Sequence, residues 1–272
     1  MPHHSKLTPA EIAVLETFVV PQYLQHFGRL MLDMLLVGES ARIAHLGCRT
    51  GYPDRQLLKK VTSCSIFGID PSLAALELAR NKAATLGDAA LDYRVGVPEQ
   101  TDLPGAVFSH ALTLHPIATL EHRRALLREM ERLVYIGGQV LVALPLRGSF
   151  QEVLDLVREY ALKFDDADFA AAADAITAAH PTEETMSEEL EGAGFDDIDV
   201  EVVPTTLSFE GGRSFVEDPS TRLLIFPELQ AASGDLDWTL PLDYVKDAID
   251  KYWSEMAFTL TVNVGCASGR KR

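Results

Sequence analysis

At 272 residues the chain has material for one large α/β domain or two small ones, and a core of that size needs no disulfide or metal staple. Hydrophobic residues make up 47% and charged residues 24%, with 18 Gly and 14 Pro, which excludes disordered, collagenous and fibrous classes. Asp plus Glu number 40 against 24 Lys plus Arg, a formal charge of −16, which sets the chain against nucleic-acid phosphates and anionic membrane surfaces as partners.

From Leu7 to Val37 apolar residues recur at helical spacing, with Leu24, Phe27, Leu30, Met31, Met34 and Leu35 on one stripe. Pro21 is expected to divide this stretch into two helices. Ala41 to Leu46 reads as a strand, Gly47 to Gly51 as a Gly-rich turn, and Asp54 to Val61 as a helix. A second strand, Ser65 to Ile69, ends at Asp70. Pro71-Ser72 then opens a helix with Leu73, Leu76, Ala79, Ala83 and Leu86 on one face, stopped by Gly87. Strands follow at Leu91 to Val95 and Phe108 to Leu114. The helix Thr119 to Val134 turns Leu120, Leu127, Met130 and Leu133 inward and ends at Gly137-Gly138 before the strand Gln139 to Leu144. Such alternation of strand and helix predicts a mostly parallel sheet with helices on both faces.

Beyond Gly148 two helices are expected, Phe150 to Phe164 and Asp168 to Ala179, the second lying on the surface because it is rich in alanine and acid. Thr185 and Glu188 form a candidate capping box, Ile198 to Val203 resumes strand character, and Phe258 to Val264 alternates as a last strand. Between Glu210 and Glu255 the aromatic residues Phe215, Phe226, Trp238, Tyr244, Tyr252 and Trp253 concentrate, a core if buried and an interface if exposed. Gly269 to Arg272 reads as a short basic frayed end. The economical reading is one domain over 1–272: N-terminal helices at 1–40, a Rossmann-like core at 41–147, a helical insertion and late strand at 148–209, a cap-like insertion at 210–256, and the last strand and tail at 257–272. Met1 to Lys6 carries no apolar signal core, no apolar run reaches bilayer length, and Cys48, Cys64 and Cys266 form no CxxC pair. These features predict a cytoplasmic protein without metal or disulfide framework.

The string Arg42-Ile43-Ala44-His45-Leu46-Gly47-Cys48-Arg49-Thr50-Gly51 followed by Phe67-Gly68-Ile69-Asp70-Pro71-Ser72 resembles class I S-adenosylmethionine-dependent methyltransferases of the ubiquinone-biosynthesis-like, small-molecule group. Leu126 to Leu133 with Gly137-Gly138, Glu188 to Phe195, and Phe18-Val19-Val20-Pro21 resemble that family's later and leading landmarks in the same order. The resemblance implies a seven-stranded Rossmann-like sheet with one antiparallel strand, and a cofactor lying across the carboxyl ends of the first strands.

The resemblance also places the cofactor residues, and here the sequence departs from it. The family's three glycine places hold Gly47, Arg49 and Gly51, and the acid before them is His45. Arg49 is expected to obstruct the methionine part of the cofactor; its alternative is to swing out and pair with a ligand carboxylate. Asp70 retains the acid that accepts both ribose hydroxyls, with helix capping as its structural alternative. The acid beside the adenine amino group has become Val97, and the acid of the fourth strand has become Ser109. His110 and His115, read as flanking the fourth-strand exit, are candidate bases or structural histidines. Two functions follow as expectations. The first is a methyltransferase-like pseudoenzyme that binds no cofactor and no metal, with no catalytic residue, serving as a binding or regulatory scaffold for another protein. The second is an active enzyme that uses S-adenosylmethionine on a small organic acceptor; a retained pocket with a changed small-molecule ligand is a third.

Overall fold

A computed structural model describes residues 7–86, 90–116 and 119–272. Helical chain runs from Pro9 to Met34 as α1 (Pro9–Val14), a π-helical stretch (Leu15–Leu24) and α2 (Gln25–Met34). Pro21 does not divide it. The wider π turn takes up the ring and the missing N–H, and the stretch stays helical because Leu15, Val19, Val20, Tyr23 and Leu24 are all buried.

The strands are β1 (Ser40–Leu46), β2 (Ser63–Asp70), β3 (Ala90–Val95), β4 (Phe108–Leu114), β5 (Val134–Pro145), β6 (Phe195–Phe209) and β7 (Phe258–Lys271). They form one seven-stranded sheet in the order β3-β2-β1-β4-β5-β7-β6. β1 to β5 pair in parallel, and β7 runs antiparallel between β5 and β6. The expected Rossmann-like methyltransferase architecture is therefore present. Strand alternation sends Ile43, Leu112, Leu141 and Ala143 to one face and Ala44, Ala111, Val140 and Val142 to the other.

The first face is covered by the N-terminal helices, α3 (Asp54–Lys60), α6 (Gln151–Phe164), α7 (Ala167–Ala179), and the helices of the cap, α9 (Gly212–Glu217), α10 (Phe226–Ser233) and α11 (Thr239–Tyr252). The second carries α5 (Leu120–Leu133) and α8 (Glu183–Gly192). A smaller core of Cys48, Leu76, Ala79 and Tyr93 seats α4 (Leu73–Ala83). Its expected stop, Gly87, lies outside the described residues.

Several local expectations are corrected by packing. α7 is not merely surface-lying: Phe169, Ala172, Ala173 and Ile176 are buried, because small alanines let α6 approach closely. Leu73 and Leu120, expected inward, are exposed at the first turns of their helices. The cap of α8 is Thr182, whose hydroxyl accepts from Thr185 N, so the helix starts two residues before the expected box. β5 begins at Val134 and runs through both glycines. The carboxyl end is not frayed: β7 continues to Lys271, Arg270 donates to Gly137 O, and Lys271 pairs with Glu131. In the cap, Phe215, Phe226 and Trp238 are core, whereas Tyr252 is exposed. No helix among the described residues is long and apolar enough to cross a membrane.

Candidate functional site

The carboxyl ends of β1, β2 and β4 converge where the chain turns from β1 into α3. Gly47 and Gly51 take φ of +69° and +78°, the left-handed region glycine enters without cost. At Gly51 a Cβ would stand 2.7 Å from the Tyr93 hydroxyl, so no side chain fits. Gly47 N and Cys48 N both donate to Ile69 O, which ties the turn to the end of β2.

Between the two glycines Arg49 also adopts a positive φ, +46°, a conformation that costs an L-residue about 1 kcal/mol or more. Three hydrogen bonds offset it. Arg49 N donates to Asp70 Oδ2 (2.8 Å), and the guanidinium donates to Leu114 O and His115 O, each at 2.7 Å. The half-buried side chain thus lies from the β1 turn to the exit of β4, across the strand ends. Burial draws its pKa down while Asp70 and Glu228 oppose that, and a guanidinium stays charged in a protein. Asp70, 5% exposed, spends its other oxygen on Ser72 N, the N-cap of α4.

Beyond Arg49 lies a buried polar cluster drawn from distant parts of the sequence. The Tyr23 hydroxyl shares a hydrogen bond with His115 Nε2 (2.9 Å), Glu228 Oε2 stands 3.4 Å from the same nitrogen, and Glu228 Oε1 meets His180 Nε2 at 3.0 Å. All four side chains are buried. Burial, against the pull of Glu228 and with the Arg49 cation nearby, pushes His115 down to about 4, so its ring is neutral near pH 7. Burial would raise Glu228, but the two imidazoles and Arg49 outweigh it and hold the carboxyl below its ordinary value. The cluster therefore carries a cation on Arg49 and an anion on Glu228.

His45 sits under the turn, fully buried. Its Nδ1 donates to Asp54 Oδ1 (2.7 Å), since a carboxylate only accepts, and the Tyr93 hydroxyl donates to Asp54 Oδ2 (2.7 Å). This relay fixes the first residue of α3 beneath Gly51. Val97 is 55% exposed in the turn after β3. Ser109 and His110 lie at the opposite, amino-terminal half of β4, which corrects the expectation that His110 flanks the strand exit. There the Ser109 hydroxyl accepts from Arg42 N and meets His110 Nδ1, while His110 Nε2 donates to Leu36 O. They staple β4 to β1 and to the end of α2.

Of the residues brought together here, the sequence singled out Arg49, Asp70 and His115 but not Tyr23, His180, Glu228, Asp54 or Tyr93. The available signal was a polar residue inside an apolar context, as in Phe226-Pro227-Glu228-Leu229. Two surface hollows, of about 400 Å³ between α5 and α8 and about 620 Å³ beside α3 and the start of β2, touch none of Gly47, Arg49, Gly51 or Asp70. Among the described residues no group of three or more His, Cys, Asp or Glu could hold a metal ion.

A family profile described as "Methyltransferase domain" matches residues 44–142, the span from β1 to β5 that contains this turn. Over this span the chain is similar to methyltransferase domains. A curated relative, YrhH of Bacillus subtilis (strain 168), provisionally named a methyltransferase, is 25% identical over 116 residues, 42% of this chain and 63% of that protein. The chain thus matches less than two thirds of that relative's length. Among solved structures, the YcgJ protein of Bacillus subtilis superposes with a TM-score of 0.57 at 12% identity, over 91% of this chain and 99% of that one. Phosphoethanolamine N-methyltransferase 2 of Haemonchus contortus, solved in complex with S-adenosylmethionine, gives 0.60 at 16% identity, over 98% of this chain and 58% of that one.

Proposed function

We propose that this methyltransferase-like chain does not use its strand-end site for methyl transfer, and that it acts as a binding or regulatory scaffold for another protein. The observation that carries this reading is the Arg49 guanidinium hydrogen-bonded to Leu114 O and His115 O across the ends of β1 and β4. A methyl donor held at these strand ends would share them with a fixed cation while carrying a positive sulfonium of its own, and like charges in one site repel. Asp70, the acid suited to ribose hydroxyls, is occupied by Arg49 N and Ser72 N. Displacing Arg49 would leave two carbonyls to be satisfied by the ligand, at about 1 to 3 kcal/mol each if they were not. A scaffold role draws support from the −16 charge, which favours a basic protein surface as partner.

The second reading, an S-adenosylmethionine-dependent enzyme acting on a small organic acceptor, is favoured by the profile match that spans the turn itself. Calorimetric titration of the unmodified protein with S-adenosylmethionine and with S-adenosylhomocysteine separates the two. No heat of binding is expected at concentrations up to the millimolar range; micromolar affinity for either would establish the second reading in place of the first.

A further inference from the structure

The strand-end site keeps the chemistry of a cation receptor although Arg49 lies in it. Its inner wall presents the carbonyl oxygens of Leu114 and His115, both aimed at one guanidinium. Asp70 reaches the same residue through its main-chain N–H. Behind His115 stands Glu228, buried, with Oε2 accepting no hydrogen bond among the described residues. Carbonyl oxygens and carboxylates are acceptors, so the wall can satisfy N–H donors and positive charge. His115 is itself held at φ +51° by its N–H to Ala143 O (2.6 Å), which fixes the direction of its carbonyl.

We propose that Arg49 is a tethered ligand, its guanidinium filling from within the chain a receptor for a small planar cation built by Leu114 O and His115 O, with the buried Glu228 behind them as the balancing charge. The inference rests on the reading that Arg49 occupies the strand-end site, and it adds the ligand class the site selects. The tether gives the guanidinium a high effective concentration, so a free cation competes poorly while Arg49 is present. Removing the side chain leaves the receptor empty and its acceptors oriented. The backbone favours that experiment, because φ of +46° suits glycine better than arginine.

The test uses Arg49→Gly in the full chain, with guanidinium chloride at low millimolar concentration as probe and urea as its neutral isostere. Melting is followed for the unmodified protein and the variant at constant ionic strength. Guanidinium should raise the melting temperature of Arg49→Gly by about 3 °C at ten times its dissociation constant, urea should not, and the unmodified protein should respond to neither. Adding Glu228→Gln to the variant should weaken the guanidinium response at least tenfold in concentration. An equal response of variant and unmodified protein, or of guanidinium and urea in the variant, overturns the proposal. Should Arg49→Gly not fold, Arg49→Asn serves, since asparagine also tolerates the left-handed region and leaves most of the guanidinium's space. The non-catalytic reading is judged separately, by titration of the unmodified protein with S-adenosylmethionine, so either idea can fail alone.

Discussion

Arg123 is buried and Arg49 half-buried, and the two are held by different means. Arg123 in α5 is 3% exposed and donates through two nitrogens to both oxygens of Glu189 in α8, at 2.9 and 2.7 Å, with a third bond to Ala179 O. It clamps two helices on the far face of the sheet, in ordinary helical conformation. Among the described residues no carboxylate meets the Arg49 guanidinium; it rests on two carbonyls, at a positive φ, with the balancing anions at one remove. A planar fork matched to a carboxylate is a structural clamp, whereas a fork lying on main-chain carbonyls occupies a place that another donor could take.

Breaking the clamp should have the largest effect. Glu189→Ala takes the carboxylate from a buried cation, and denaturant unfolding should register a loss of about 3 to 5 kcal/mol. Next comes acid. His115 titrates near 4 in the folded chain against 6.5 for an ordinary histidine, so the unfolded chain takes up the proton first. Its contribution is intact above pH 6.5, drains as pH falls, and is spent near pH 4, on the order of 3 kcal/mol in all. His115→Asn, chosen for its tolerance of positive φ, should flatten stability against pH in that window, and an unchanged slope would assign the acid sensitivity elsewhere.

Arg49→Gly is expected to cost less, about 1 to 3 kcal/mol, because water can reach the two carbonyls at this half-buried place and relief of the strained turn offsets part of the lost bonds. A loss as large as that of Glu189→Ala would erase the contrast and make Arg49 a clamp too. Ser109→Ala should be the mildest, about 1 kcal/mol, with no effect on guanidinium binding to Arg49→Gly because it acts at the other end of β4.

Much of this architecture was legible in the chain order of its residues. Short strand-like runs such as Ala41 to Leu46 and Phe108 to Leu114 alternating with helical stretches, and the Gly47 to Gly51 turn between a strand and a helix, identify the parallel core through short-range pattern alone. Pattern failed where distant packing overruled it. Pro21 stays inside a helix because the residues around it are buried, and Gly269 to Lys271 are ordered because β5 and β6 flank them.

The site divides in the same way. Sequence alone determined that a bulky cation stands between Gly47 and Gly51 and that Asp70 closes β2, since both are fixed by position within one turn and one strand. Only the tertiary structure decided where the guanidinium points and what balances it. Tyr23, His115, His180 and Glu228 are separated by up to 205 positions along the chain, from 23 to 228, and hydrogen bonds between such residues exist only once the cap and the N-terminal helix close over the sheet. Charge pairing depends on distance and burial, and neither is written in local order.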